Sequence, residues 1–307
     1  MLKKIWNKIQ ERINKNLFSN AARKIRSTPP LSVNKQGDVI IVSQVYHDAV
    51  DMTLLALKSF MKNLGRGSIE LIDDGSLTND DKLVLQMHLP NVKIIHINTI
   101  ETGDCPQGGT WERLIWILNR SKNAYVIQVD TDTLTVGALP EIDACIRGNT
   151  AFTIGGPMWL VSVDTEYMNY ITNSWSSTHI QTKAESHLAD CKNTIIKNYF
   201  RGCSAFTGFP KGGVSFEVLE KFSIEMESYV GKERWREWGT EQFSSNVMIS
   251  LSNKPQILPW PKYQNFGQPF CDLKNTQGVV SVFHFIGTFR YKNRIYERLA
   301  RNFIQKL

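Results

Sequence analysis

Residues 124–137 read AYVIQVDTDTLTVG, and how they are read decides the fold. The run Tyr125-Val126-Ile127, continued by Val129, has the unbroken apolar character of a strand buried on both faces. It ends in Asp130 and Asp132, one residue apart, whose like charges repel. Either a cation holds that pair, or the strand simply gives way to a solvated loop in which aspartates cap backbone groups.

Three strand–helix units precede this run. DVIIVSQV (38–45) is followed by the helical pattern AVDMTLLALKSFMKNL (49–64), which stops at Gly65. SIELIDDGS (68–76) leads to LTNDDKLVLQMHL (77–89), and NVKIIHIN (91–98) to QGGTWERLIWILNRS (107–121). Such alternation predicts an α/β fold, a mostly parallel central sheet covered by helices on both faces. Ligands in such sheets bind beyond the carboxyl ends of the strands, where Asp73-Asp74 and Asp130/Asp132 both fall. The second half is less regular, with clear helical patterns only near 215–228 and 240–251.

The chain of 307 residues, 42% hydrophobic and 10% aromatic, is long and apolar enough for a sizeable core. Five scattered cysteines (105, 145, 191, 203, 271) form no CxxC pair and fit a reducing compartment. With no apolar stretch of membrane-spanning length and no signal-peptide pattern, a cytoplasmic location is expected. The net charge of +7 is concentrated at the ends: eight Lys/Arg against Glu11 in residues 1–30, and five against Glu297 in 291–307. The body between them is acidic overall, which argues against a nucleic-acid partner. MLKKIWNKIQERINKNLF places Leu2, Ile5, Trp6, Ile9, Ile13 and Leu17 on one stripe flanked by basic residues. YKNRIYERLARNFIQKL repeats the pattern with Ile295, Leu299 and Phe303. Basic amphipathic helices of this kind either lie on the cytoplasmic face of an anionic membrane or pack on the body. RSTPPLSVNKQGD (26–38) reads as a linker, so the folded body is expected to begin near Asp38.

LIDDGS, the Gly-started helix GGTWERLIWILNRSKN and the strand ending in VDTDT resemble, in order and spacing, the first half of GT-A glycosyltransferases of the family-2 type. The resemblance spans about residues 38–137. It implies a nucleotide-sugar donor, expected to be UDP-linked, with Asp73 or Asp74 on the nucleoside and Val45 and Tyr46 lining the base pocket. It also implies that Asp130 and Asp132 hold Mn²⁺ or Mg²⁺ on the diphosphate, a hard-ion site of oxygen ligands. Arg113 is a further candidate for the diphosphate.

FPKGGVSFEVLEKF (209–222) and WREWGTEQFSSNVMI (235–249) are similar to the acceptor half of several GT-A families. Gly212 and Gly213 would let backbone approach the donor sugar, and Trp235 and Trp238 would stack on an acceptor saccharide. VFHFIGTFR (282–290) resembles the HxxGxxK segment of glycogenin-like, family-8 enzymes, with Arg290 in place of the lysine. That likeness implies His284 as a metal ligand and Arg290 as a diphosphate contact. Glu241 and Gln242 stand where such enzymes carry catalytic groups. Inverting relatives show Glu-Asp here and glycogenin-like ones Asp-Gln, so both stereochemical outcomes stay open.

The resemblance divides the chain into a helix and linker (1–30), one GT-A domain (31–290, its donor half 31–156 and acceptor half 157–290) and a C-terminal helix (291–307). The acceptor it implies is a saccharide or lipid-linked saccharide, as in bacterial surface-polysaccharide synthesis. VIQVDTDTL also resembles the hhhDxDGT motif of haloacid-dehalogenase phosphatases, but Thr133 and Leu134 replace its Gly and Thr. A third reading is a non-catalytic binder of nucleotide or saccharide on the same core.

Overall fold

A computed structural model describes residues 2–32, 39–267 and 279–307, and every side chain among them except those of residues 2–5, 7 and 288. Gly37, Asp38, Cys271 and the side chains of Leu2 and Ile5 therefore lie outside the described residues.

The strands are β1 (Val39–Val45), β2 (Ser68–Asp73), β3 (Lys93–His96), β4 (Tyr125–Val129), β5 (Thr133–Thr135), β6 (Phe152–Ile154), β7 (Val163–Asp164), β8 (Asn198–Tyr199), β9 (Cys203–Phe209), β10 (Gln256–Leu258), β11 (Tyr263–Asn265) and β12 (Val282–His284). The helices are α1 (Leu2–Ala22), α2 (Val50–Leu64), α3 (Asn79–His88), α4 (Trp111–Ser121), α5 (Pro140–Gly148), α6 (Thr165–Ser174), α7 (Ile180–Glu185), α8 (Phe216–Val230), α9 (Lys232–Trp235), α10 (Thr240–Leu251) and α11 (Ile295–Ile304). Seven strands form one sheet in the order β10-β6-β9-β4-β1-β2-β3. All neighbours pair parallel except β9, which runs antiparallel to both β4 and β6.

The unbroken apolar strands follow from burial on both faces. Ile41, Tyr125, Ile127 and Val129 face a core layer that includes α2, whereas Ile40, Val42 and Val126 face one that includes α4, α8 and α10. Gly208 within β9 is required by proximity, because a Cβ there would sit 2.2 Å from the Phe152 ring and 2.6 Å from the Tyr125 hydroxyl.

A second sheet decides the function. Immediately after the Asp130–Asp132 turn the chain enters β5, which pairs antiparallel with β12, and β12 pairs parallel with β11. Thr133 lies opposite His284, and Asn265 lies opposite His284 on the other side.

Both terminal helices pack on the body. Phe18 stacks on Tyr296 with centroids 4.1 Å apart, and Tyr296 stacks on Phe285 at 3.9 Å. The two ends thus buttress the strand that carries His284. The front of α1 is different: Trp6, Ile9 and Ile13 are 65%, 47% and 52% exposed. Of the linker, Thr28 and Pro29 are tied down by the buried Lys58 of α2, whose Nζ donates to Thr28 Oγ1 (2.8 Å) and the Pro29 carbonyl (2.7 Å). Among the described residues no helix is long and apolar enough to cross a membrane.

Candidate active site

The parallel strands β1, β2 and β4 end on the same edge of the sheet, and β12 brings His284 to it beside Asp132. Asp130, Asp132 and His284 offer ligand atoms that all lie within 4.8 Å of one another. Residues about 150 positions apart converge because β5 begins directly after Asp132 and pairs Thr133 with His284 of β12. Two carboxylates and an imidazole suit Mn²⁺, and oxygen-rich variants of the same set suit Mg²⁺.

Each ligand is oriented by a neighbour. The Asn265 Oδ1 lies 2.6 Å from His284 Nδ1, and the Cys203 sulfur lies 3.6 Å from the same nitrogen. With Nδ1–H donating to Asn265, Nε2 faces Asp132 at 3.4 Å and is the nitrogen left to meet a cation. Burial works against a charged imidazole, yet the Asp132 carboxylate raises the His284 pKa well above the usual histidine value.

Two arginines lie against the acids. Arg113 Nη1 donates to Asp130 Oδ1 at 2.6 Å, and Arg290 Nη2 donates to Asp132 Oδ2 at 2.5 Å. Burial pushes the Asp130 carboxyl up, with Arg113 pulling the other way. Asp132 resists the same burial because His284 and Arg290 hold it below the ordinary range. Arg290 also donates through Nε to the Phe285 carbonyl at 3.0 Å, which aims its fork at the triad.

Several expected site residues take other places. Gly212 and Gly213 lie at the far end of the sheet, because β9 runs antiparallel to β4 and leaves them beside Ser121, whose carbonyl accepts the Gly212 N–H at 2.8 Å. Gly202, next to Cys203 at the other end of β9, is required by close packing, because a Cβ there would meet the Thr153 hydroxyl at 2.1 Å. Trp235 is fully buried among Trp111, Phe222 and Phe243, and no face of it is open to a sugar. Trp238 is 75% exposed beside His179. Val45 is sealed in the core and cannot line a base pocket, whereas Tyr46 is 40% exposed.

Asp73 is spent on structure: its Oδ1 accepts from Gly75 and Leu77 N–H, and Lys82 Nζ sits 2.9 Å from Oδ2. Against burial, Lys82 and the Gly75 amide hold its pKa below the ordinary value. Asp74 is exposed beside it; its Oδ1 accepts from the Ser76 N–H (2.9 Å) and hydroxyl (2.6 Å), but the carboxylate stays open to solvent.

Glu241 is not free either. Its Oε1 faces Arg113 Nη2 at 3.4 Å, and its Oε2 accepts from Thr110 (2.9 Å) and Ser204 (3.3 Å). With both oxygens engaged, Glu241 holds Arg113 against Asp130; burial pushes its carboxyl up, with Arg113 pulling the other way. Gln242 is half-buried, its amide donating to Gln181 Oε1 at 3.0 Å. Asp130 Oδ1 also accepts from Gln128, so it is not the unencumbered nucleophile a phosphatase needs. Asn265, Ser204, Thr110 and Gly202 went unseen in the sequence, because isolated polar or small residues have no periodicity and acquire meaning only through strand pairing.

No protein-family model matches the chain, and no curated protein matches it. Among solved structures the chain is similar to the galactosyltransferase LgtC in complex with donor and acceptor sugar analogues. The identity is 11%, the match covers 86% of this chain and 95% of that one, and the TM-score is 0.52. An LgtC active-site variant with glutamate in place of glutamine matches at 12% identity over 87% and 95% of the two chains, with a TM-score of 0.50. The fold is that of the GT-A glycosyltransferases.

Proposed function

We propose that the protein is a metal-dependent glycosyltransferase that moves a sugar from a nucleotide diphosphate donor to a saccharide acceptor. The observation that carries this reading is the convergence of Asp130, Asp132 and His284 at the carboxyl end of a GT-A sheet, each held by its own partner. A Mn²⁺ or Mg²⁺ ion on these three residues would supply Lewis-acid neutralisation of the leaving diphosphate. Arg290 adds a second positive charge on the same side and moves from Asp132 to a phosphate oxygen when the donor binds. Asp74 and Tyr46 take the nucleoside, Asp74 accepting a ribose or base hydrogen bond. Gln242 faces the sugar from the acceptor side, its amide fixed by Gln181.

The expected donor is UDP-linked and the expected acceptor is membrane-proximal. That last step is supported by the exposed Trp6-Ile9-Ile13 stripe, flanked by exposed Lys8, Arg12 and Lys15, a pattern suited to an anionic bilayer surface. A panel of UDP-, GDP- and dTDP-sugars, incubated with Mn²⁺ and with EDTA, tests the enzymatic reading. Metal-dependent release of the nucleoside diphosphate from one donor is expected; no release from any of them contradicts it.

A further inference from the structure

Close in sequence to the Asp130–Asp132–His284 cluster's Cys203 neighbour, an arginine packs against two tryptophans that no part of the site described above uses. The Arg201 guanidinium carbon lies 5.0 Å from the Trp159 ring centroid and 5.7 Å from that of Trp175. The two indoles meet edge to face at 6.4 Å. Arg201 is fixed from behind by the fully buried Glu185, with Nε at 2.8 Å and Nη2 at 3.2 Å. Glu185 also accepts from Gln181, the residue that holds Gln242. The cluster is thus wired to the Gln242 amide through two intervening side chains, Glu185 and Gln181.

Its place is fixed by the fold. Arg201 precedes Cys203 by two residues, about 7 Å of extended chain, and the Cys203 sulfur lies 3.6 Å from His284. Ile154 pairs with Cys203, and the chain leaving β6 folds straight back, so that a Cβ on Gly155 would lie 2.3 Å from the Trp159 carbonyl. Trp175 remains 37% exposed.

We propose that Trp175, locked by Arg201 and Trp159, is the platform on which a neutral pyranose ring of the acceptor stacks. An indole whose plane is fixed by packing has already lost the freedom that binding would otherwise cost. Stacking a sugar on an aromatic face removes apolar C–H surface from water, while the ring hydroxyls stay available to polar neighbours. The Arg201 charge is matched by Glu185, so the platform offers N–H groups without net charge and favours neutral over acidic sugars. Trp238, which is unpinned at 75% exposure, lacks this preorganisation. The inference rests on the transferase reading only in naming this sugar the acceptor.

Saturation-transfer NMR with lactose, cellotriose and maltotriose, and with glucuronic acid as the acidic counterpart, tests it. At least one neutral saccharide receives saturation from the wild-type protein, glucuronic acid receives less, Trp175→Ala weakens the effect at least tenfold, and Trp175→Phe restores most of it. A melting temperature of Trp175→Ala near that of the wild type shows that the fold is kept. No transfer to any neutral saccharide, or transfer unchanged in Trp175→Ala, overturns the platform. Wild-type UDP titration with Mn²⁺ reports separately on the transferase reading, so either can fail alone.

Discussion

Asn265 and His284 are opposite one another on paired strands, and their contact decides which imidazole nitrogen meets a metal. Removing such an orienting partner typically costs 10–100-fold in metal affinity. Asn265→Ala is therefore expected to weaken Mn²⁺ binding by roughly that factor, read by calorimetry, without unfolding the protein. A second residue-scale prediction concerns Lys58, whose pKa burial lowers from 10.5 to about 8. Between these values the unfolded chain keeps a proton the folded chain has shed, so the Lys58 contribution makes stability rise with pH over that window. Its full size is about 3 kcal/mol. Urea unfolding at pH 7.5 and pH 10 should show wild type gaining on Lys58→Met by an amount of this order; an unchanged difference contradicts the assignment. At this scale the sequence picked out Asp130, Asp132, His284 and Arg290, which the fold brings together, because each sits in a motif with fixed spacing. That Val45 and Trp235 are sealed in the core, and that Asp73 rather than Asp74 is the buried acid of its pair, are tertiary facts that residue type does not carry.

Among the elements, the first three strand–helix units and the fourth strand were legible because continuous apolar runs and helical periods alternate there without interruption. The second sheet was not legible, since β5, β11 and β12 are three residues each and too short for any period to declare itself. The direction of β9 was equally hidden, and it reverses the meaning of Gly212-Gly213. Gly212 has φ +67° and open space around its Cβ position. Gly212→Ala should thus cost about 1 kcal/mol in stability and leave UDP affinity unchanged, by thermal melting and titration; lost UDP binding would return the glycine pair to the site. The aromatic stack Phe18–Tyr296–Phe285 makes the terminal helices part of the support for β12. Phe18→Ala is expected to lower stability by roughly 3–5 kcal/mol, measured by denaturant unfolding. A loss below 1 kcal/mol would mean that the ends are not coupled to the core.

For the molecule as a whole, the positive charge gathered at the ends has two fates. On α11 the apolar side is covered, with Tyr296 and Ala300 buried. On the front of α1 it stays open at Trp6, Ile9 and Ile13. The proposed membrane contact accordingly predicts that the protein sediments with vesicles containing phosphatidylglycerol and not with neutral ones. The double variant Trp6→Glu, Ile9→Glu should stay in the supernatant with an unchanged melting temperature; sedimentation unaffected by the substitutions contradicts it. The central claim is that the paired acids of VDTDT end a core strand in order to carry a metal-bound diphosphate. Calorimetric titration of UDP into the protein with and without Mn²⁺ tests it most directly. Saturable binding is predicted only with the metal, and loss of it in both Asp132→Asn and His284→Ala. UDP binding that is absent with Mn²⁺, or that persists undiminished without metal or in those variants, would contradict the account.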